Sequence, residues 1–272
     1  MGIFLFFCLG LIVGSFLNVV ALRLEAGTDF VHGRSACPHC HSLIAWYDNI
    51  PLFSFLFLRG KCRTCKNPIS WRYPFIELGT GLVYASTLWL FFNSVEISAW
   101  IETVWLLGLF SFLIVVALYD GKTMEIPVSL LQASALWTAG ALFLLDWNLS
   151  TNMIWSLDGR TVSGLLGALG AWVFFAALSF FSKETWMGWG DSWLAAIIGL
   201  AVGIKGVFFA LTLSFGIGAL FSCILLLRKK AGMTTQVPFG PFLVIGTLIY
   251  FLLSQLDMIQ YGGSMWIANF FS

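Results

Sequence analysis

Charge is what this sequence has least of. Charged residues make up 10% of its 272 residues against 59% hydrophobic ones, and its mean hydropathy is +0.91. A water-soluble domain carries roughly a quarter charged residues, so this composition excludes that class and places the chain among polytopic membrane proteins. No internal repeat, low-complexity tract or glycine-serine linker is present, which excludes a repeat array or domains on flexible tethers. No basic residue precedes the first apolar run and Arg23 follows it, so that run reads as a retained anchor with its N-terminus outside, not as a secretory signal. A net charge of +1 carries no nucleic-acid signal, and no glycine-rich nucleotide loop lies between a strand and a helix.

What is present is a series of apolar runs, at 3–22, 75–93, 101–119, 126–146, 161–181, 192–204, 206–227 and 238–256. Most approach the length that crosses ~30 Å of hydrocarbon, and eight transmembrane helices is the resulting count. The run at 192–204 is short and Lys205-Gly206 follow it, so it either merges with its neighbour or forms a tight hairpin with it. With the N-terminus outside, twelve Lys and Arg residues fall on the cytoplasmic side and only Arg160 and Lys205 outside, as the positive-inside rule requires. Trp89, Trp100, Trp105, Trp147 and Trp155 then lie near the outer boundary as an interfacial belt. Gly10 and Gly14 form a GxxxG step suited to close helix contact.

The one sizeable hydrophilic stretch, 23–74, contains Cys37-Pro38-His39-Cys40 and Cys62-Arg63-Thr64-Cys65. Two CxxC pairs at this spacing match a zinc ribbon, in which four thiolates surround one structural zinc and leave no position for a catalytic water. Placement in the reducing cytosol disfavours disulfides, and a metal supplies the stability that so small a module lacks. His39 and His41 read as solvated neighbours of the site, and Cys8 and Cys223 as helix-packing residues. The chain thus divides into a first helix at 1–22, a cytosolic zinc-binding module at 23–74 and a helical membrane domain at 75–272.

Charge scarcity singles out Asp120, ending the third long run, and Asp191, closing Gly188-Trp189-Gly190-Asp191 before the sixth. Both fall on the cytosolic side. Two carboxylates, one ionised to activate water and one protonated to assist a carbonyl oxygen, can hydrolyse a peptide without a nucleophilic side chain. The bland readings are an N-cap for Asp191 and a headgroup-solvated residue beside Lys122 for Asp120. Glu77, just inside the second helix after Arg72-Tyr73-Pro74, is an expensive acid there; it binds a substrate or cofactor amine, or else pairs with Arg72 at the interface. Arg23, Asp29, Asp48 and Asn49 are weaker candidates.

Ordered motifs over most of the chain carry a resemblance: GSFLNVVALRL at 14–24, the CxxC pairs, NIPLFSFLFLRGKC at 49–62, ISWRYPFIELGTG at 69–81, Asp120 followed by Ile126-Pro127, GWGD at 188–191 and VPFGPF at 237–242. The sequence resembles the type IV prepilin peptidases, bifunctional bacterial leader peptidases and N-methyltransferases. The resemblance implies an inner-membrane aspartic endopeptidase with Asp120 and Asp191 as its catalytic pair. It also implies prepilin or type II secretion pseudopilin substrates, and methylation of the new N-terminus with S-adenosylmethionine. The chain departs from the family pattern at Val128, where Asp or Asn is usual, and at Ser192-Trp193, where Val-Lys is usual. From another class, a transporter or ion-binding protein would use Asp120, Asp191 and Glu77 as ligands.

Overall fold

A computed structural model describes residues 1–28, 35–92, 96–149, 159–185, 187–228 and 237–261. The described residues form helices α1 (Gly2–Glu25), α2 (Phe53–Phe57), α3 (Arg72–Phe91), α4 (Ile97–Thr123), α5 (Val128–Leu149), α6 (Arg160–Ser182), α7 (Trp189–Leu227) and α8 (Gly240–Tyr261), with a short 3-10 turn at Trp46–Asn49. No strand occurs among them, only isolated bridges at Ala36–Leu43 and Lys61–Pro68. The protein is all-α, and five helices, α1, α4, α5, α6 and α7, are long and apolar enough to cross a membrane. Two compact units divide the chain, Met1–Trp89 and Leu90–Ser272.

In the first unit the GxxxG step acts as expected. A Cβ on Gly10 would meet the Thr80 carbonyl oxygen at 2.7 Å, and one on Gly14 would meet the Cα of Glu77 at 2.9 Å. The two backbones therefore touch, and α1 and α3 run antiparallel. In lipid, where burying apolar surface between helices gains little, such close van der Waals packing supplies much of the association energy.

The second unit turns on Gly203. The runs expected at 192–204 and 206–227 form one 39-residue element, α7, interrupted where Gly203 takes φ 74° and ψ 176°. Only glycine holds that conformation without strain. Before the break α7 descends along α6, with Trp193 beside Trp172 and Leu200 beside Gly164. After it, Phe215 stacks on Phe175, so the chain has reversed and climbs the same helix. The hairpin reading of this segment holds, with its corner at Gly203 and not at Lys205-Gly206. α8 then descends against the second limb, Gly206 facing Tyr250 and Gly218 facing Phe242.

Asp146, a buried carboxylate in the last turn of apolar α5, also finds its reason here. It accepts the backbone N–H groups of Arg160 at 3.2 Å and Thr161 at 2.8 Å, capping α6 from the end of α5. Trp89, Trp100 and Trp147 are exposed as a belt requires, but Trp105 is not: it is 4% exposed and packs against Phe251, while its carbonyl accepts the Trp137 indole N–H at 2.9 Å. Helix–helix packing overrides the belt reading for Trp105; Trp155 lies outside the described residues.

The α6–α7 contact runs backbone to backbone, a Cβ at Gly167 falling 2.6 Å from the Gly199 carbonyl oxygen. Backbone cannot yield as a side chain can, so Gly167→Val should destabilise the fold by about 1–3 kcal/mol or more. Thermal unfolding in detergent checks this, with Gly170→Val, where the Cβ meets open space, as the neutral control.

Candidate active site and metal centre

Helix parity brings the aspartates to one end of the second unit. α5 leaves that end after Asp120 and α6 returns to it before Asp191. The two limbs of α7 leave and return once more, so α8 starts there too. Asp120, on the last turns of α4, is buried at 4% exposure, and the backbone N–H of Gly240 donates to its Oδ2 at 2.9 Å. This excludes the headgroup-solvated reading of Asp120. Asp191 stands in the first turn of α7, at the same end of the unit as Asp120. It is the third residue of α7, whose N-cap is Gly188, so the N-cap reading of Asp191 also fails.

The local sequence explains the placement. Gly188 has φ −79° and ψ 158°, ordinary extended backbone that ends the turn after α6 and starts α7. Gly190 packs closely: a Cβ there would lie 3.2 Å from the Cβ of Ile126 and would push it back by a few tenths of an ångström. Ile126-Pro127, which lead into α5 at Val128, are thus seated on the turn carrying Asp191. Ser179 adds a hydroxyl donation to the Gly188 carbonyl at 3.3 Å.

Gly240, quoted above only within VPFGPF, is the partner of Asp120 that the sequence did not name. A Cβ on it would fall 2.6 Å from Asp120 Oδ2, so a larger residue would have to displace the carboxyl. Phe239, just before it, packs on Phe215 at 4.9 Å and Phe175 at 6.2 Å between ring centroids. That aromatic cluster ties α6, the second limb of α7 and the start of α8 together. The available signal was a glycine before proline at a helix start, with nothing in the sequence naming its partner.

In the first unit the sulfur atoms of Cys37, Cys40, Cys62 and Cys65 all lie within 4.8 Å of one another. Each CxxC pair forms the same turn. Cys37 N–H donates to the Ser42 carbonyl and His41 N–H to Cys37; Cys62 N–H donates to Asn67 and Lys66 N–H to Cys62. His41 and Lys66 both take positive φ at the matching position. Cys37 and Cys65 stand 3.8 Å apart, the sulfur–sulfur separation that a tetrahedron with Zn–S of ~2.3 Å demands. Hydrogen bonds from Ser42, first its side chain and then its backbone, draw Cys40 down to about 6, and backbone N–H groups of Cys65 and Thr64 lower Cys62. Cys65 receives a backbone hydrogen bond from Asn67, yet burial and its thiol neighbours push it up to about 11. Four sulfurs this close could all ionise only around a cation, and this donor set can hold a metal ion such as zinc.

Glu77 has partners within its own unit. It is 8% exposed, its Oε2 accepts the Leu52 N–H at 2.9 Å, and Ser15 also bonds to it. Asp48 receives both Nε, at 2.8 Å, and a terminal nitrogen, at 2.6 Å, of Arg63, whose guanidinium holds the carboxyl below the usual range. That pair staples the Trp46–Asn49 turn to the second cysteine turn. Asp29 lies outside the described residues.

The cysteine cluster predicts about one divalent metal per purified chain, lost in Cys40→Ser together with protection of the module from protease. Inductively coupled plasma mass spectrometry and limited proteolysis read the two effects; a metal-free chain with an intact module would contradict the assignment.

Residues 8–91 match the family model described as the bacterial Peptidase A24 N-terminal domain, and residues 107–223 match that of the type IV leader peptidase family. The chain is 33% identical over 273 residues to the prepilin leader peptidase/N-methyltransferase of Pectobacterium carotovorum subsp. carotovorum, covering 92% of each chain. It is 31% identical over 246 residues to the protein of that name from Bacillus subtilis (strain 168), covering 90% of this chain and 92% of the relative. To that of Klebsiella pneumoniae it is 37% identical over 211 residues, 74% and 85% of the two chains. No solved structure gives a significant match. Matches over both units, in chain order, settle the relationship: the chain belongs to the type IV leader peptidase family.

Proposed function

We propose that the protein is a membrane aspartic endopeptidase that removes the basic leader of type IV prepilins or type II secretion pseudopilins at the cytosolic face of a bacterial inner membrane. The observation carrying this reading is the buried Asp120 carboxyl, held by the Gly240 amide at the end of the unit where Asp191 begins α7. The substrate's apolar helix stays in the bilayer while its leader presents the scissile bond. Asp120 and Asp191 share one proton; the ionised carboxylate takes a proton from water, which attacks the carbonyl carbon. The protonated partner donates to the carbonyl oxygen, and the C–N bond then breaks as the leaving amine is protonated. No acyl-enzyme forms. The pair titrates as a unit, so base and acid are roles of the dyad.

The relatives' names also support N-methylation of the new N-terminus, with S-adenosylmethionine as donor. We assign zinc to the four cysteines as a structural ion, Glu77 as the candidate contact for an amine of substrate or methyl donor, and the limits 1–22, 23–74 and 75–272 to anchor, module and peptidase helices. A transporter using the same acids is not favoured, because both family models and the relatives carry peptidase names.

Reconstituted with a prepilin, Asp120→Asn and Asp191→Asn should each lower cleavage by ~10²–10⁴-fold. Wild-type rates in either would refute the dyad, and absence of methyl incorporation into cleaved product would leave a peptidase alone. Gly240→Ala should lower kcat on the order of 10²-fold by displacing Asp120 while KM stays near wild type. An unchanged kcat would show that the Gly240 contact does not position the carboxyl.

A further inference from the structure

The segment between the two cysteine turns is the least expected surface of the first unit. α2 exposes Phe53 at 70%, Leu56 at 69% and Phe57 at 82%. These residues recur at helical spacing and share one face. The opposite face is anchored: Phe55 packs on Trp71 with ring centroids 4.9 Å apart and lies over Gly60. A contiguous apolar patch of this kind is rare on a water-exposed module and marks a binding or membrane surface.

Its height along α3 decides between them. Trp71, just before α3, and Trp89, near its far end, are both exposed; α3 is less apolar than the five helices named above, but it rises ~27 Å between them, close to the thickness of a hydrocarbon core. Tryptophans so placed sit at the two interfaces. Leu52, which leads into α2, is bonded through its N–H to Glu77, ~9 Å beyond Trp71 toward Trp89. α2 is held between these two levels, at the ~5–10 Å depth where interfacial helices rest.

Charge agrees. From Ile50 to Lys66 the chain carries Arg59, Lys61, Arg63 and Lys66 and no acid, and with Arg63 held by Asp48 the charge beside α2 is that of Arg59, Lys61 and Lys66. Behind α2 a groove of about 420 Å³ sets Phe55, Leu56, Ile69 and Trp71 against Arg59 and Lys61, apolar wall beside cationic rim. Anionic phospholipid presents the complementary order, acyl chain inward and phosphate at the rim.

We propose that α2 is a membrane-dipping arm. Phe53, Leu56 and Phe57 insert among the lipids of the leaflet on the module's side, and the adjacent basic residues meet anionic headgroups. The zinc-ribbon module is then fixed to the bilayer at three points, α1, α3 and α2.

The test uses the full chain in vesicles of phosphatidylethanolamine and phosphatidylglycerol, with the photo-crosslinker p-benzoylphenylalanine replacing Phe53, Leu56 or Phe57, and Thr28 beyond the end of α1 as control. Mass spectrometry should find lipid adducts at the three α2 positions and none at 28. Hydroxyl-radical footprinting of the unsubstituted chain guards against misfolded variants: Phe53 and Phe57 should remain unlabelled in vesicles. Absence of lipid adducts, adducts that move to a co-reconstituted prepilin, or radical labelling of Phe57 as heavy as that of Tyr47 would each overturn the proposal.

Discussion

A backbone amide reaching a buried carboxylate is the contact on which the site depends. An ionisable side chain inside an apolar helix bundle is costly unless something polar answers it, and at Asp120 the answer is the Gly240 N–H at 2.9 Å. That contact exists only because α8 begins at the end of the bundle where α4 finishes. α8 begins there because α7 reverses at Gly203; a straight helix of the same length would deliver Gly240 to the opposite end. One positive-φ glycine in the middle of an apolar run therefore decides which backbone amide meets Asp120, far from it in sequence. The Gly164, Gly167 and Gly199 contacts let the first limb lie against α6, and the Phe175, Phe215 and Phe239 cluster fixes the other end.

Glycine serves three separate purposes in this chain. At Gly203 it provides a backbone conformation, at Gly10 and Gly14 it lets helices touch, and at Gly190 and Gly240 it makes room for Ile126 and Asp120. The second glycine of the GxGD motif is thus accounted for by packing on Ile126, which explains why an Ile-Pro step shortly after the first aspartate belongs to the same constellation. Ser192, which follows the motif, buries a hydroxyl that has no partner among the described residues, a desolvation cost an apolar side chain would avoid.

Much of this was legible in the sequence because scarcity makes charges informative. Two acids at matching ends of apolar runs, and two CxxC pairs in the one polar stretch, stand out by type and spacing, and the structure gathers the four thiols within 4.8 Å. Gly203 and Gly240 were not legible, since a glycine's role depends on what approaches it from elsewhere in the chain. Trp105 misled for the same reason: an interfacial tryptophan and a packed one look alike until the neighbouring helix is known. Glu77 was legible as costly, but its partner Leu52 lies in another part of the unit, so its clamp on the module emerged only with the fold.

The dyad is the central claim, and the coupling of its two carboxyls can be observed without substrate. With Asp labelled at the side-chain carboxyl carbon, solid-state NMR follows the titration of Asp191 in bilayers of wild type and of Asp120→Asn. The account predicts that removing the Asp120 charge moves the Asp191 titration, since each carboxyl feels the other's proton. An Asp191 titration identical in the two proteins would mean that the carboxyls do not interact, and would contradict it.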